Sequence, residues 1–243
     1  MLARRGVTTV GYEDPGSRGT RDQLHRWGLA LAPVSVDDLG CDVDALGRTG
    51  VSAVFTTPAH QYPTGVVLAP LRRRALLDWA RHGGIVIEDD YDAEHRYDRA
   101  PVAALAALAP EHVVYLGSVS KTLAPALRLG WVVAPPDVRK ELVVRKQWSD
   151  ITSPALGQLA LAELIASGAF ERHLRKVRTR QRVLGDVRVV NPVRKAHEQV
   201  QPLSQHRLRL GPPGLVIGYA ATTPDRLREG VRLLATAVRD RQP

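Results

Sequence analysis

The sequence predicts an α/β fold, a mostly parallel sheet with helices on both faces. Three observations predict it. Short apolar runs alternate with segments of helical periodicity over the first 150 residues, the pattern of a sheet covered on both sides. Two of those runs, Ile85-Val-Ile-Glu-Asp89 and Val113-Val-Tyr-Leu116, end in charged or hydroxylic side chains, and strand ends in such sheets are where ligands bind. The composition, 44% hydrophobic and 24% charged over 243 residues, is that of an ordinary globule large enough for one substantial core and a smaller appendage.

The candidate strands, in order, are Thr8–Val10, Leu29–Val34, Ala53–Thr56, Ile85–Asp89, Val113–Gly117 and Gly130–Ala134. Between the third and fourth, Pro70 to Arg81 has helical spacing, with Leu71, Ala75, Leu76 and Trp79 on one face and Arg72, Arg73 and Asp78 off it. Pro70 suits a first helical turn and Gly83-Gly84 a stop. After Pro135-Pro136 the pattern turns helical: Asp137–Trp148, Pro154–Ser167 and Phe170 to Leu184. Gly214–Ala220 predicts one more strand, and Thr223-Pro-Asp225 opens a closing helix with Leu227, Val231, Leu234 and Val238 on its apolar face. The expected division is a large domain over 1–150 and connecting helices with a reduced small domain over 151–243.

Composition excludes some classes. No apolar stretch approaches a membrane span, and Met1-Leu-Ala-Arg-Arg-Gly lacks the apolar core of a signal peptide. Cys41 is the single cysteine, so no intrachain disulfide forms, and a reduced, cytoplasmic setting is expected. The net charge of +9 and the pI near 10.2 admit nucleic-acid contact. The arginines, however, are spread along helices such as Leu71-Arg-Arg-Arg74, and no nucleic-acid-binding motif accompanies them. The expectation is no direct nucleic-acid binding.

The segment Ser118-Val-Ser-Lys121-Thr-Leu-Ala-Pro-Ala-Leu-Arg128 carries the most chemistry. Alone, Lys121 would be an ordinary exposed lysine. At a strand end, beside two serines and an arginine, it can form a Schiff base with an aldehyde while Ser118, Ser120 and Arg128 hold a phosphate. An aldehyde and a phosphate on one molecule describe pyridoxal phosphate. That cofactor also needs a carboxylate at its pyridine nitrogen, and Asp89 ends a neighbouring strand. Asp89 could instead cap a helix or share a metal with Glu88, Asp90, Asp92 and Glu94. Adjacent strand residues point to opposite faces, so few of these carboxylates can converge on one ion.

Three motifs stand in one order: Thr57-Pro-Ala-His60-Gln-Tyr62-Pro-Thr-Gly65, Glu88-Asp-Asp-Tyr91-Asp-Ala-Glu-His-Arg-Tyr97, and Ser118 through Arg128-Leu-Gly-Trp131. Together they resemble the fold-type-I pyridoxal phosphate enzymes, the aminotransferase superfamily, and within it the aminotransferase-like domain of MocR-type regulators of the GntR group. The resemblance runs from Val7 to Asp137 and is patchy afterwards. It implies that Asp89 pairs with the pyridine nitrogen, that Tyr91 bonds the ring phenolate oxygen, and that Lys121 holds the cofactor and moves the substrate's α-proton. Tyr62 stands where many aminotransferases carry an asparagine and where MocR-type proteins often carry an aromatic residue. His60 is expected to be structural. The family's substrate-carboxylate arginine has no match on the strand around Leu215, and Arg207 and Arg209 just upstream are the candidates in its place. The resemblance further implies an amino-acid or amine substrate and a homodimer. It leaves two rival readings open, an effector-sensing regulatory domain and an inactive remnant. The family's glycine-rich phosphate turn lies ahead of the matched segment. Another two strands and a helix would fall between Val189 and Ser204, where roughly ten to fifteen residues cannot hold them. The sheet is therefore expected to be incomplete at its start and the small domain shortened.

Overall fold

The computed structural model describes residues 2–91, 102–150, 153–182 and 200–217, together with 225, 229, 230 and 232. Its centre is a seven-stranded sheet built from β1 (Thr9–Asp14), β2 (Ala30–Asp37), β3 (Gly40–Cys41), β4 (Ala53–Thr56), β5 (Ile85–Asp90), β6 (Val113–Ser118) and β7 (Gly130–Val133), in the order β3-β2-β1-β4-β5-β6-β7. The five inner strands run parallel, while β3 and β7 close the two edges antiparallel. The mostly parallel sheet expected from the sequence is thus present. β1 runs four residues beyond its expected end at Val10, which brings Glu13 and Asp14 into the sheet.

The helices are α1 (Arg18–Arg26), α2 (Val43–Arg48), α3 (Pro70–Arg81), α4 (Leu105–Leu108), α5 (Pro136–Asp150), α6 (Ala155–Ala166) and α7 (Ala169–Arg182). α1 and α2 were not expected. Each is announced by an N-cap, Ser17 accepting from Thr20 N–H and Asp42 from Ala45 N–H. Two short antiparallel strands, β8 (Val200–Pro202) and β9 (Leu215–Ile217), pair separately. The expected strand 214–220 is seen as far as Ile217; its remainder, most of the closing helix, and the segment holding Asp92 and Glu94 lie outside the described residues.

Strand alternation splits the core in two. One face packs Val34, Val54, Val86 and Val113 against Leu46 of α2, Leu76, Leu77 and Ala80 of α3, and Leu105 of α4. The other packs Val10, Tyr12, Phe55, Ile87 and Val114 against Leu24 of α1 and Val138 and Leu142 of α5. Pro70 does start α3, and Gly83 beyond its end takes φ +104°, the left-handed region a glycine stop needs. The buried face of α3 is rotated from the expected one. Leu71 is 75% exposed, whereas Arg73 is buried with its guanidinium donating to the Ala103 carbonyl. A long stem with an acceptor at its end can be buried where a leucine is not needed.

Candidate functional site

The chain order of the sheet reverses between β1 and β4: β2 lies on one side of β1, while β5 and β6 continue from β4 on the other. Loops leaving β1 and β4 therefore diverge, opening the crevice in which doubly wound sheets bind ligands. Glu13 and Asp14 end β1, Thr56 ends β4 with Thr57 just beyond it, Asp89 lies near the end of β5, and Ser118 ends β6.

Alternation decides which carboxylates reach this crevice. Glu88 and Asp90 turn to the α3–α4 side. Glu88 is buried and accepts from Leu105 N–H at 2.9 Å and Ala106 N–H at 3.0 Å, the orphan donors at the start of α4. Asp90 accepts from the Tyr115 hydroxyl at 2.8 Å. Asp89 belongs to the opposite face, in line with Ile87. Leu116 is its register partner on β6, and Ser118 lies two residues further along the same face. Asp89 is half-buried there and, after Glu13, is one of the charges that together with burial push the Tyr12 phenol above its ordinary value.

An aromatic group stands over the same end of the sheet. Tyr91 stacks on His60 with centroids 6.0 Å apart and meets Tyr62 edge-on at 6.2 Å. Tyr62 in turn meets His206 edge-on at 5.4 Å. The loop presenting His60 and Tyr62 is held by a buried cluster around Glu13, Thr56, Thr57 and Gln61. Sequence reasoning did not single out Glu13. The available signal was Glu13-Asp-Pro-Gly16 following an apolar run, which reads as a strand end once β1 is allowed its full length.

The β6–β7 connection is built differently. Lys121 is exposed, Ser118 and Ser120 are half-buried, and Ser118 Oγ accepts from Ser120 N–H at 3.4 Å. A single 3-10 turn, Pro125–Leu127, ends at Arg128, which is exposed and takes left-handed backbone, φ 51°. A non-glycine residue held there is strained. Gly117 precedes the connection because the Trp131 indole lies against it: a Cβ would stand 2.4 Å from that ring.

The carboxyl-terminal strap also reaches the crevice. Gly16 N–H donates to the His206 carbonyl, Leu208 and Arg209 N–H donate to the Asp14 carboxylate, and Arg21 donates to the Arg207 carbonyl. The Arg209 guanidinium also bonds Asp14, at 3.2 Å. Arg207 Nε is buried with no hydrogen-bond partner. Burial, aided by Arg21 and Arg18 nearby, holds His206 below the ordinary imidazole value.

The donor set fits pyridoxal phosphate: a carboxylate on a strand end, two phenols beside it, and hydroxyls and cations on the neighbouring connection. A family model described as aminotransferase class I and II matches residues 19–188. The chain is 30% identical over 275 residues to an uncharacterized HTH-type transcriptional regulator, YhdI, of Bacillus subtilis, covering 97% of this chain and 58% of that one. It is 30% identical over 263 residues to the probable rhizopine catabolism regulatory protein MocR of Rhizobium meliloti, covering 93% and 53%. It thus spans little more than half the length of these relatives. Among solved structures it resembles LysN, an α-aminoadipate aminotransferase from Thermus thermophilus complexed with N-(5'-phosphopyridoxyl)-L-leucine, with TM-score 0.69 and 31% identity over 75% of this chain and 50% of that one.

Proposed function

The chain belongs to the aminotransferase class I and II family, and from that premise we propose that it is a pyridoxal phosphate-binding, aminotransferase-like domain acting on an amino acid or amine. The observation that carries this reading is that Asp89 and Ser118 share one face of adjacent strand ends, at the end of β5 from which Tyr91 meets His60 and Tyr62.

Bound pyridoxal phosphate supplies an electron sink for the carbon next to an amine. The chain's residues do the rest. Asp89 keeps a proton on the ring nitrogen, as a carboxylate can and an amide cannot. Tyr91 and Tyr62 donate to the ring oxygen. Ser118, Ser120 and Arg128 hold the phosphate, and the strained backbone at Arg128 supports that assignment, since strain persists where surrounding structure or function requires it. Lys121 Nζ would hold the cofactor through its aldehyde and would be the base that moves the substrate's α-proton. Of the two arginines considered for the substrate carboxylate, Arg207 is favoured, because Arg209 already serves Asp14 while Arg207 Nε is unpartnered.

Borohydride reduction of the protein incubated with pyridoxal phosphate, followed by peptide mapping, tests the assignment. A pyridoxyl group on Lys121 is expected; a modified lysine elsewhere, or none in folded protein, overturns it. A second reading, an effector-sensing domain that binds the cofactor without turnover, draws support from regulatory proteins among the relatives, such as YhdI and MocR. Steady cofactor binding with no keto acid formed from any amino donor would favour it. A homodimer is part of the proposal, supported by exposed Trp131, Val132, Trp148 and Leu156 on β7, α5 and α6. A monodisperse monomer in light scattering of the cofactor-loaded protein would remove that part.

A further inference from the structure

We infer that Glu13 is a positioning residue of this site: its buried carboxylate sets the 57–66 loop and so holds Tyr62 and His60 against Tyr91. The inference rests on the proposed cofactor reading for its consequence, though not for its geometry.

Glu13 ends β1 at the sheet's switch point and is 4% exposed. One carboxylate oxygen, Oε1, accepts from the Thr56 hydroxyl. The other, Oε2, accepts from Thr57 N–H at 3.1 Å, Thr57 Oγ1 at 2.7 Å and Gln61 Nε2 at 3.2 Å. No cation is among these partners. Three donors converging on one atom require an acceptor there.

The two receiving residues pass the constraint on. The Thr57 hydroxyl gives its proton to Glu13 and accepts the Tyr62 N–H at 3.2 Å. The Gln61 amide is oriented at both ends. Its nitrogen faces Glu13, the Pro15 carbonyl and the Tyr62 carbonyl, the last two at 2.8 Å, and its oxygen accepts from Thr64 N–H at 3.0 Å and Thr64 Oγ1 at 2.6 Å. The backbone of Gln61 then closes the turn, donating to the Val66 carbonyl and accepting from Gly65 N–H. Both backbone polar groups of Tyr62 are thus bonded to side chains that Glu13 orients. They fix the backbone from which the Tyr62 ring meets Tyr91.

The two carboxylate oxygens also decide which substitutions matter. Glutamine at position 13 can turn its oxygen to Thr57 and Gln61 and its nitrogen to the Thr56 hydroxyl, which can accept. Alanine takes this acceptor from all four donors, Thr56 Oγ1, Thr57 N, Thr57 Oγ1 and Gln61 Nε2. Two measurements decide the matter. The first is amide exchange of the 57–66 loop in the protein without cofactor: Glu13→Ala should exchange faster by about tenfold or more there, with β5 and β6 unchanged, and Glu13→Gln should restore protection. The second is cofactor titration by the visible band. Glu13→Ala should bind about tenfold more weakly, with a shifted pH midpoint of the band, and Glu13→Gln within about threefold of the parent. If Glu13→Ala does not fold, Thr57→Val removes only the hydroxyl between Glu13 and the Tyr62 amide and should give both effects in smaller measure. Unchanged loop exchange in Glu13→Ala, or in Thr57→Val where that variant stands in, overturns the inference. So does loosened exchange with unaltered cofactor affinity and band. A parent protein that takes up no cofactor defeats the proposed function instead, and loop exchange then decides the role of Glu13 alone.

Discussion

The 57–66 loop and the 118–130 connection flank the same strand ends but are built in opposite ways. In the first, Glu13, Thr57 and Gln61 form one buried hydrogen-bonded cluster, which half-buried Thr64 joins through the Gln61 oxygen. In the second, Lys121 and Arg128 are exposed, one 3-10 turn is the regular structure, and a strained arginine closes it. The difference teaches that the wall of the proposed site is pre-formed by folding, whereas Lys121 and Arg128, assigned to the aldehyde and phosphate, project from a segment anchored through buried Val119 and Thr122.

The largest expected effect falls on the exposed side. Lys121→Ala should abolish the borohydride-trapped adduct while leaving the melting temperature within about 2 °C of the parent. A large loss of stability would show that the connection is more integrated than its exposure indicates. Next is the strand end between the two regions. Asp89→Asn should weaken cofactor binding by about tenfold more than Asp90→Asn, since the latter residue serves Tyr115 on the other face. Equal effects, read by titration, would erase the facial distinction.

Glu88 tests the packed side directly. Glu88→Leu strands the two N–H donors at the start of α4 and should cost about 2–4 kcal/mol in urea unfolding, with Glu88→Gln costing less because it keeps an acceptor. Arg128→Gly works in the opposite sense. It should gain about 0.5–1 kcal/mol by relieving the left-handed backbone while weakening cofactor binding; a loss in both would argue against stored strain.

The smallest effect is pH-linked. Burial lowers the pKa of His206, so the unfolded strap binds a proton more readily than the folded one. The stability this neutral imidazole contributes is present above about pH 6.5, the ordinary value, and is lost as pH falls below it through the lower folded-state value. Exchange of the Gly16 amide, which donates to the His206 carbonyl, should quicken over that range and stay flat in His206→Gln.

Periodicity and punctuation in the chain were enough to find the parallel sheet, α3 with its proline start, and the strands whose ends carry Asp89 and Ser118, because strand alternation and helix caps are local properties of neighbouring residues. They also separated Asp89 from Glu88 and Asp90 by face. What they missed is long-range. Glu13 meets Thr57 and Gln61 across more than forty positions, and Asp14 meets Arg209 across 195. The extended reach of β1 was hidden because Glu13 and Asp14 interrupt an apolar run. Only the tertiary fold, by placing β1 beside β4 and bringing Thr57 and Gln61 down over its end, supplies the donors that let a carboxylate end a buried strand.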